Sequence, residues 1–257
     1  MVQQRRGITG KPVRLAEPPL LLAGREDLLA DLDARLAGGD GSRPRTVVLT
    51  GFAGTGKTSV ALEYAHAHLA EVGAAWQFAA EDATVLAAGF GELAAQLGAR
   101  DVLDTRDPVA SVHGVLAAFP GEWLLVFDNA PDRASVERFL PPAGAGRVLI
   151  TSRNALWPAG QAVEVPVLDR QAAAGFLAAR TGEADHQAAA GLAEAVGGLP
   201  LALEQAAAYI EATGDGLADY LVSFRKRRAD LLSRGQPAGY TGTVAATWEL
   251  AFTLVEQ

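Results

Sequence analysis

"TGFAGTGKTSVALEYA", Thr50–Ala65, puts three glycines and a lysine between a β-branched run, "RTVVLTG", and an Ala/Leu-rich helical pattern. It reads as strand, glycine loop, helix, with the helix from about Lys57 to Glu71. The chain has three lysines, Lys11, Lys57 and Lys226, among 22 Lys and Arg residues, so a lysine here is a selective choice. Gly51, Gly56, Lys57 and Thr58 fit the G-x-x-x-x-G-K-[ST] pattern in the strand-to-helix setting that gives it physical meaning. Glycines let successive backbone N–H groups turn inward toward phosphate oxygens, and the following helix adds the positive end of its dipole. Lys57 brings a compact charge to the β- and γ-phosphates, where a planar guanidinium fits a tight loop poorly. Thr58 offers a hydroxyl to Mg²⁺. The competing reading, a glycine turn with a solvated lysine, does not explain the strand before it or the helix after it.

Outward from that loop, "GREDLLADLDARLAGG" spaces Leu28, Leu29, Leu32 and Leu36 along one helical face, stopped by Gly38 and Gly39. "GAAWQFAA", "EWLLVFDNA", "GRVLITSRN" and "AVEVPVL" read as further strands, with helices around Thr84–Leu97 and Pro108–Phe119. Short apolar strands alternating with helices imply a parallel α/β sheet with helices on both faces. An acid ending a neighbouring buried strand should complete the phosphate site. Asp128, after Leu124–Phe127, fits as the carboxylate that holds a water of the Mg²⁺ shell; alone it could equally begin the turn "DNAPD".

Four segments follow: an extended arm at 1–21, a nucleotide-binding α/β domain at 22–168, a small all-α subdomain at 169–234, and 235–257. The last ends in "TVAATWELAFTLVEQ", a helical pattern that reaches the final residue without a stop signal, as if cut from a longer protein.

In 257 residues, 49% are hydrophobic and 20% charged, enough for a sizeable core. The net charge of −8 argues against a general nucleic-acid surface, so a polyanion must be held locally. With no cysteine, disulfides and thiolate chemistry are excluded, which fits a reducing interior. No apolar stretch is long enough to span a bilayer, and "MVQQRRG" lacks a signal-peptide core, so the expectation is a cytoplasmic protein.

These ordered motifs resemble the NB-ARC group of STAND nucleotide switches, within the AAA+-like P-loop NTPases, over about Leu22 to the C-terminus. "LLAGRED", Leu21–Asp27, is similar to the Gly-Arg-Glu element on the adenine side, placing Gly24 and Arg25 there. "GFAGTGKTSVA" is similar to Walker A, which brings Gly51, Ala53, Gly54, Thr55, Gly56, Lys57, Thr58 and Ser59 to the nucleotide. "WLLVFDNA" resembles Walker B, with Asp128 beside Thr58 at the metal. "GRVLITSRN" resembles the sensor-1 strand, whose Arg153 would read the terminal phosphate. "GGLPLALEQAAAYI", Gly197–Ile210, resembles the helical ARC element, where Leu199 and Pro200 meet the base.

The resemblance implies ATP or ADP with Mg²⁺, an ADP-loaded resting form, self-association in the ATP form, and intramolecular contacts with further C-terminal domains, the 235–257 segment being the start of a winged-helix domain. The family often has a second acid after the Walker-B Asp; here Asn129 follows Asp128, and an amide accepts no proton at neutral pH. Asp132 is the candidate substitute, and slow Mg-dependent hydrolysis is the expectation, with Lys57, Asp128 and Arg153 as the catalytic set. The alternatives are a P-loop kinase or metabolic ATPase, or the core of a nucleotide-dependent transcriptional regulator.

Other features carry less. His66 and His68, two apart, point to different helical faces and are poor metal-ligand geometry. His113 and His186 have no partner pattern. "RKRR", Arg225–Arg228, reads as a solvated face, and Trp123, Trp157 and Trp248 as packing residues.

Overall fold

A computed structural model describes residues 11–38, 41–99, 107–158 and 160–233, with side chains to 227. The sequence readings of residues 1–10, of Gly39, of Trp248 and of the 235–257 linker and winged-helix start lie outside the described residues. Contact clustering divides the chain into two compact units. The first holds 11–19, Asp27–Gly51 and Lys57–Val165; the second holds Leu20–Glu26, Phe52–Gly56 and 166–233.

The first unit is built on a six-stranded, all-parallel sheet. Its strands are β1 (Val13–Arg14), β2 (Arg45–Thr50), β3 (Ala74–Ala79), β4 (Trp123–Ala130), β5 (Gly146–Ser152) and β6 (Ala162–Glu164), in the spatial order β1-β3-β4-β5-β2-β6. Its helices are α1 (Glu26–Leu36), α2 (Lys57–Ala67), α3 (Ala83–Gln96), α4 (Pro108–Ala117) and the short α5 (Arg133–Val136).

Both sheet faces are buried, as a parallel sheet with helical crossovers requires. Leu125, Phe127, Val148 and Ile150 join one cluster with Leu86, Phe90 and Leu93 of α3 and Val112 and Leu116 of α4. The alternate residues Val47, Leu49, Leu124, Val126 and Leu149 are buried as well, and α2 packs on β2, β4 and β5. This is an α/β P-loop NTPase fold.

Three local outcomes differ from the sequence reading. The extended arm holds a strand that the sequence reading did not foresee: Val13 and Arg14 pair with Ala75 and Trp76 at the sheet edge, and Arg14 lies over the Trp76 ring at 5.5 Å. Helix α2 ends at Ala67, four residues early. His68 N still donates to the Tyr64 carbonyl at 3.2 Å, but beyond it the bonds tighten to three residues back, Leu69 N donating to the His66 carbonyl at 3.3 Å and Glu71 N to the His68 carbonyl at 3.0 Å, so the last turn closes as a tight turn and not as α-helix. The strand carrying Asp128 does not adjoin the strand before the glycine loop, because β5 lies between β4 and β2.

The second unit contains α6 (Arg170–Thr181), α7 (His186–Ala195), α8 (Pro200–Thr213) and α9 (Leu217–Ser233). Phe176, Leu177, Leu192, Leu203, Ile210, Tyr220 and Phe224 share one buried core. Asp169 and Asp185 cap α6 and α7, accepting from Ala172 N at 2.8 Å and Ala188 N at 2.9 Å.

Candidate functional site

In the first unit, β2 delivers Thr50 and Gly51 to the carboxyl edge of the sheet, and α2 opens with Lys57, Thr58 and Ser59. Gly51 has φ 141°, a conformation that side-chain-bearing residues rarely adopt. Lys57 is 8% exposed and its Nζ donates to the Gly51 carbonyl at 3.0 Å. Burial most strongly, then the nearby Arg153 guanidinium, push the Lys57 ammonium below its ordinary range, while Asp128 pulls it back. Arg153 itself is exposed. A buried lysine repelled by a second cation is an arrangement that an anion relieves.

The acid side is a compact hydrogen-bond cluster. Thr58 Oγ1 and Thr151 Oγ1 both donate to Asp128 Oδ1, each at 2.7 Å, and Asn129 N donates to Thr151 Oγ1 at 2.7 Å. A hydroxyl beside a carboxylate is an oxygen-only donor set that suits a hard cation such as Mg²⁺, which keeps waters and takes its remaining ligands from phosphate. Among the described residues no group of three His, Cys, Asp or Glu side chains could hold a metal alone, so such an ion would need the nucleotide as co-ligand.

Thr151 is a site residue that sequence reasoning missed. Its signal is the polar pair Thr151-Ser152 that ends the apolar run Val148–Ile150, with both side chains buried. Asp132, the proposed substitute acid, is instead the N-cap of α5, its carboxylate accepting from Ser135 N at 2.8 Å.

Within the second unit, the loop crest Phe52–Gly56 is held by several carbonyl contacts. Leu201 N donates to Gly54 O at 3.1 Å, and the buried Arg25 donates to Thr55 O at 3.0 Å and Pro166 O at 2.7 Å. A Cβ on Gly54, at φ 80°, would lie 3.1 Å from the Leu201 Cβ, and one on Gly24 would meet the Ala172 Cβ at 2.6 Å. Ala53 is exposed, and Leu199 and Pro200 form the N-cap and first turn of α8. Arg25 thus braces backbone carbonyls, and desolvation lowers its pKa.

Three of the four histidines have ordinary partners. His66 Nε2 bonds the Ala16 carbonyl, His68 stacks on Tyr64 and pairs with Asp33, and His113 bonds the Phe139 carbonyl.

Comparison with known proteins agrees with this geometry. The AAA ATPase domain family matches residues 21–238. The chain belongs to that family. A relative, the regulatory protein AfsR of Streptomyces griseus, is 30% identical over 268 residues, covering 96% of this chain and 26% of its own length. The chain therefore spans about a quarter of that curated relative.

Similar folds occur in a signal transduction ATPase with numerous domains (STAND) protein with a tetratricopeptide repeat sensor from Pyrococcus horikoshii. That match has a TM-score of 0.54 at 20% identity, over 89% of this chain and 37% of the other. Cdc6p from Pyrobaculum aerophilum has a TM-score of 0.56 at 17% identity, over 78% of this chain and 65% of the other. The broad AAA ATPase family is what the match establishes; the narrower NB-ARC assignment is a proposal. Among the described residues, no helix is long and apolar enough to cross a membrane.

Proposed function

We propose that this chain is the ATP/ADP-binding switch module, of NB-ARC/STAND type, of a longer cytoplasmic regulatory protein, with slow Mg-dependent hydrolysis resetting the switch. The observation that carries the reading is the meeting of Lys57, Thr58, Asp128 and Arg153 at one edge of the sheet, with Lys57 sensing both Arg153 and Asp128. Lys57 leaves the Gly51 carbonyl for the β- and γ-phosphates. Gly51, Ala53, Gly54, Thr55, Gly56 and Ser59 form or flank the cradle of backbone N–H groups, and Arg153 meets the terminal phosphate. Thr58 and Asp128 hold Mg²⁺, which neutralises phosphate charge when bound. Gly24, Arg25, Leu199 and Pro200 are assigned to the base side, and the domain division proposed is 22–168 and 169–234.

A γ-phosphate works as a switch because the contacts of Lys57 and Arg153 with it are lost on hydrolysis, and two arrangements bound unequally shift in population. Self-association in the ATP form and contacts with further C-terminal segments belong to the same proposal. The similarity to a regulatory protein favours this setting over a metabolic kinase or ATPase. The test is mass analysis of nucleotide released on denaturing the purified chain, paired with sizing in ATP and in ADP. Retained ADP and a larger species in ATP are expected; an empty pocket at millimolar Mg-ATP overturns the reading.

A further inference from the structure

Asn129 is the one non-glycine residue among those described with a positive φ, 65°, and it sits where the β4–β5 register shifts between Phe127 and Ala130. Asparagine tolerates that conformation better than most residues, yet it remains a cost that surrounding contacts must offset. Here the bulge turns the Asn129 N–H onto Thr151 Oγ1 and its side-chain Nδ2 onto Glu81 Oε1. Glu81 lies two residues past the end of β3, and that end is fixed against β4: Ala79 pairs with Asp128, and Ala80 N donates to the Asp128 carbonyl at 2.8 Å. A carboxylate therefore stands one side chain away from the Thr58–Asp128–Thr151 cluster, held by the amide that occupies the position where an acid was expected.

The other acids along this β3–β4 rim are engaged elsewhere. Asp82 caps α3, accepting from Thr84 N at 2.7 Å and Val85 N at 3.1 Å, Asp132 caps α5, and Asp128 receives two hydroxyls. Glu81 is exposed, and Asn129 Nδ2 donates to its Oε1.

We propose that Glu81 is the carboxylate that takes the proton of the attacking water, and that Asn129 is its positioning residue. The inference rests on the proposed ATP-binding function. The water oxygen forms the new bond to the γ-phosphorus as its proton passes to Glu81. The bond from the γ-phosphorus to the bridging oxygen breaks, and its electron pair leaves with ADP. Protonated Glu81 then returns the proton to solvent. The second acid that β4 lacks is thus supplied from the end of β3.

The experiment measures phosphate release from Mg-ATP and binding of a fluorescent ATP analogue by the full chain, with Lys57→Ala as the background. Glu81→Gln keeps the shape and the acceptor for Asn129, so the fold is retained. Its kcat should fall about 10²-fold, the usual worth of a positioned general base, with analogue affinity unchanged. Asn129→Gly keeps the positive φ and removes the amide. It should lower kcat about tenfold without raising KM, and it should add little loss to Glu81→Gln, because the two groups act as one unit. Wild-type turnover in Glu81→Gln overturns the proposal, and so does a parent chain that binds the analogue without releasing phosphate; in both cases nucleotide binding stands. A parent chain that does not bind the analogue overturns the underlying ATP reading, and this proposal with it.

Discussion

Thr151 shows how much one hydroxyl can organise at this edge. It is 1% exposed, donates to Asp128 and accepts from Asn129 N, so Thr151→Val leaves the carboxylate short of a donor and a backbone N–H without its acceptor. A cost of about 1–3 kcal/mol is expected, read as a lower denaturation midpoint at unchanged m-value. Lys57 makes a pH prediction at the same scale. In the free chain its pKa is lowered from 10.5 by burial and Arg153, whereas bound phosphate raises it. Between those two values binding takes up a proton, so ATP affinity should fall as pH rises through the lowered value, starting below 10.5. AMP, lacking β- and γ-phosphates, should show a flatter alkaline profile in the same titration; parallel curves would remove Lys57 from the phosphate contact.

At the scale of elements, the close pairing of β4 with β5 depends on a missing side chain. Trp123 is fully buried, its indole N–H donates to the Leu116 carbonyl at 3.1 Å, and its ring covers its register partner Gly146, where a Cβ would fall 2.3 Å from ring atoms. Gly146→Ala should therefore overpack the sheet and destabilise by about 1–3 kcal/mol, measured by denaturant melts. The strand-loop-helix around Lys57, the apolar strand ending in Asp128, and the helices beginning near Ala83 and Pro108 were all legible, because each is written in local period and punctuation. Strand order was not, since nothing local to "GRVLITS" says that it inserts between β2 and β4. That insertion brings Thr151 to Asp128. β1 was hidden for another reason: two residues show no period, and Val13–Arg14 become a strand only through the edge that β3 offers. Glu81 carries no local signal of its own, because it is the Asn129 bulge, a product of strand pairing, that joins it to the rim.

For the molecule as a whole, a net charge of −8 opposes diffuse polyanion binding, so the proposed affinity for nucleotide would have to come from the few cations gathered at Lys57 and Arg153. Any ligand that binds only the folded chain stabilises it by mass action, and at about 100 times Kd the gain is roughly 2.7 kcal/mol. For a chain of this size such a gain corresponds to a rise in Tm of about 5–10 °C. Mg-ATP should therefore raise the melting temperature of the sheet unit, which contains Lys57, Thr58 and Asp128, followed by calorimetry to resolve transitions that the two cores could undergo separately. Removing Mg²⁺ with EDTA should reduce the rise, since in the proposed site the Thr58 hydroxyl and the Asp128 carboxylate would hold that cation together with the phosphates. Lys57→Ala should abolish the rise altogether. A shift of equal size in that variant would mean that ATP stabilises the chain from somewhere other than the loop between β2 and α2.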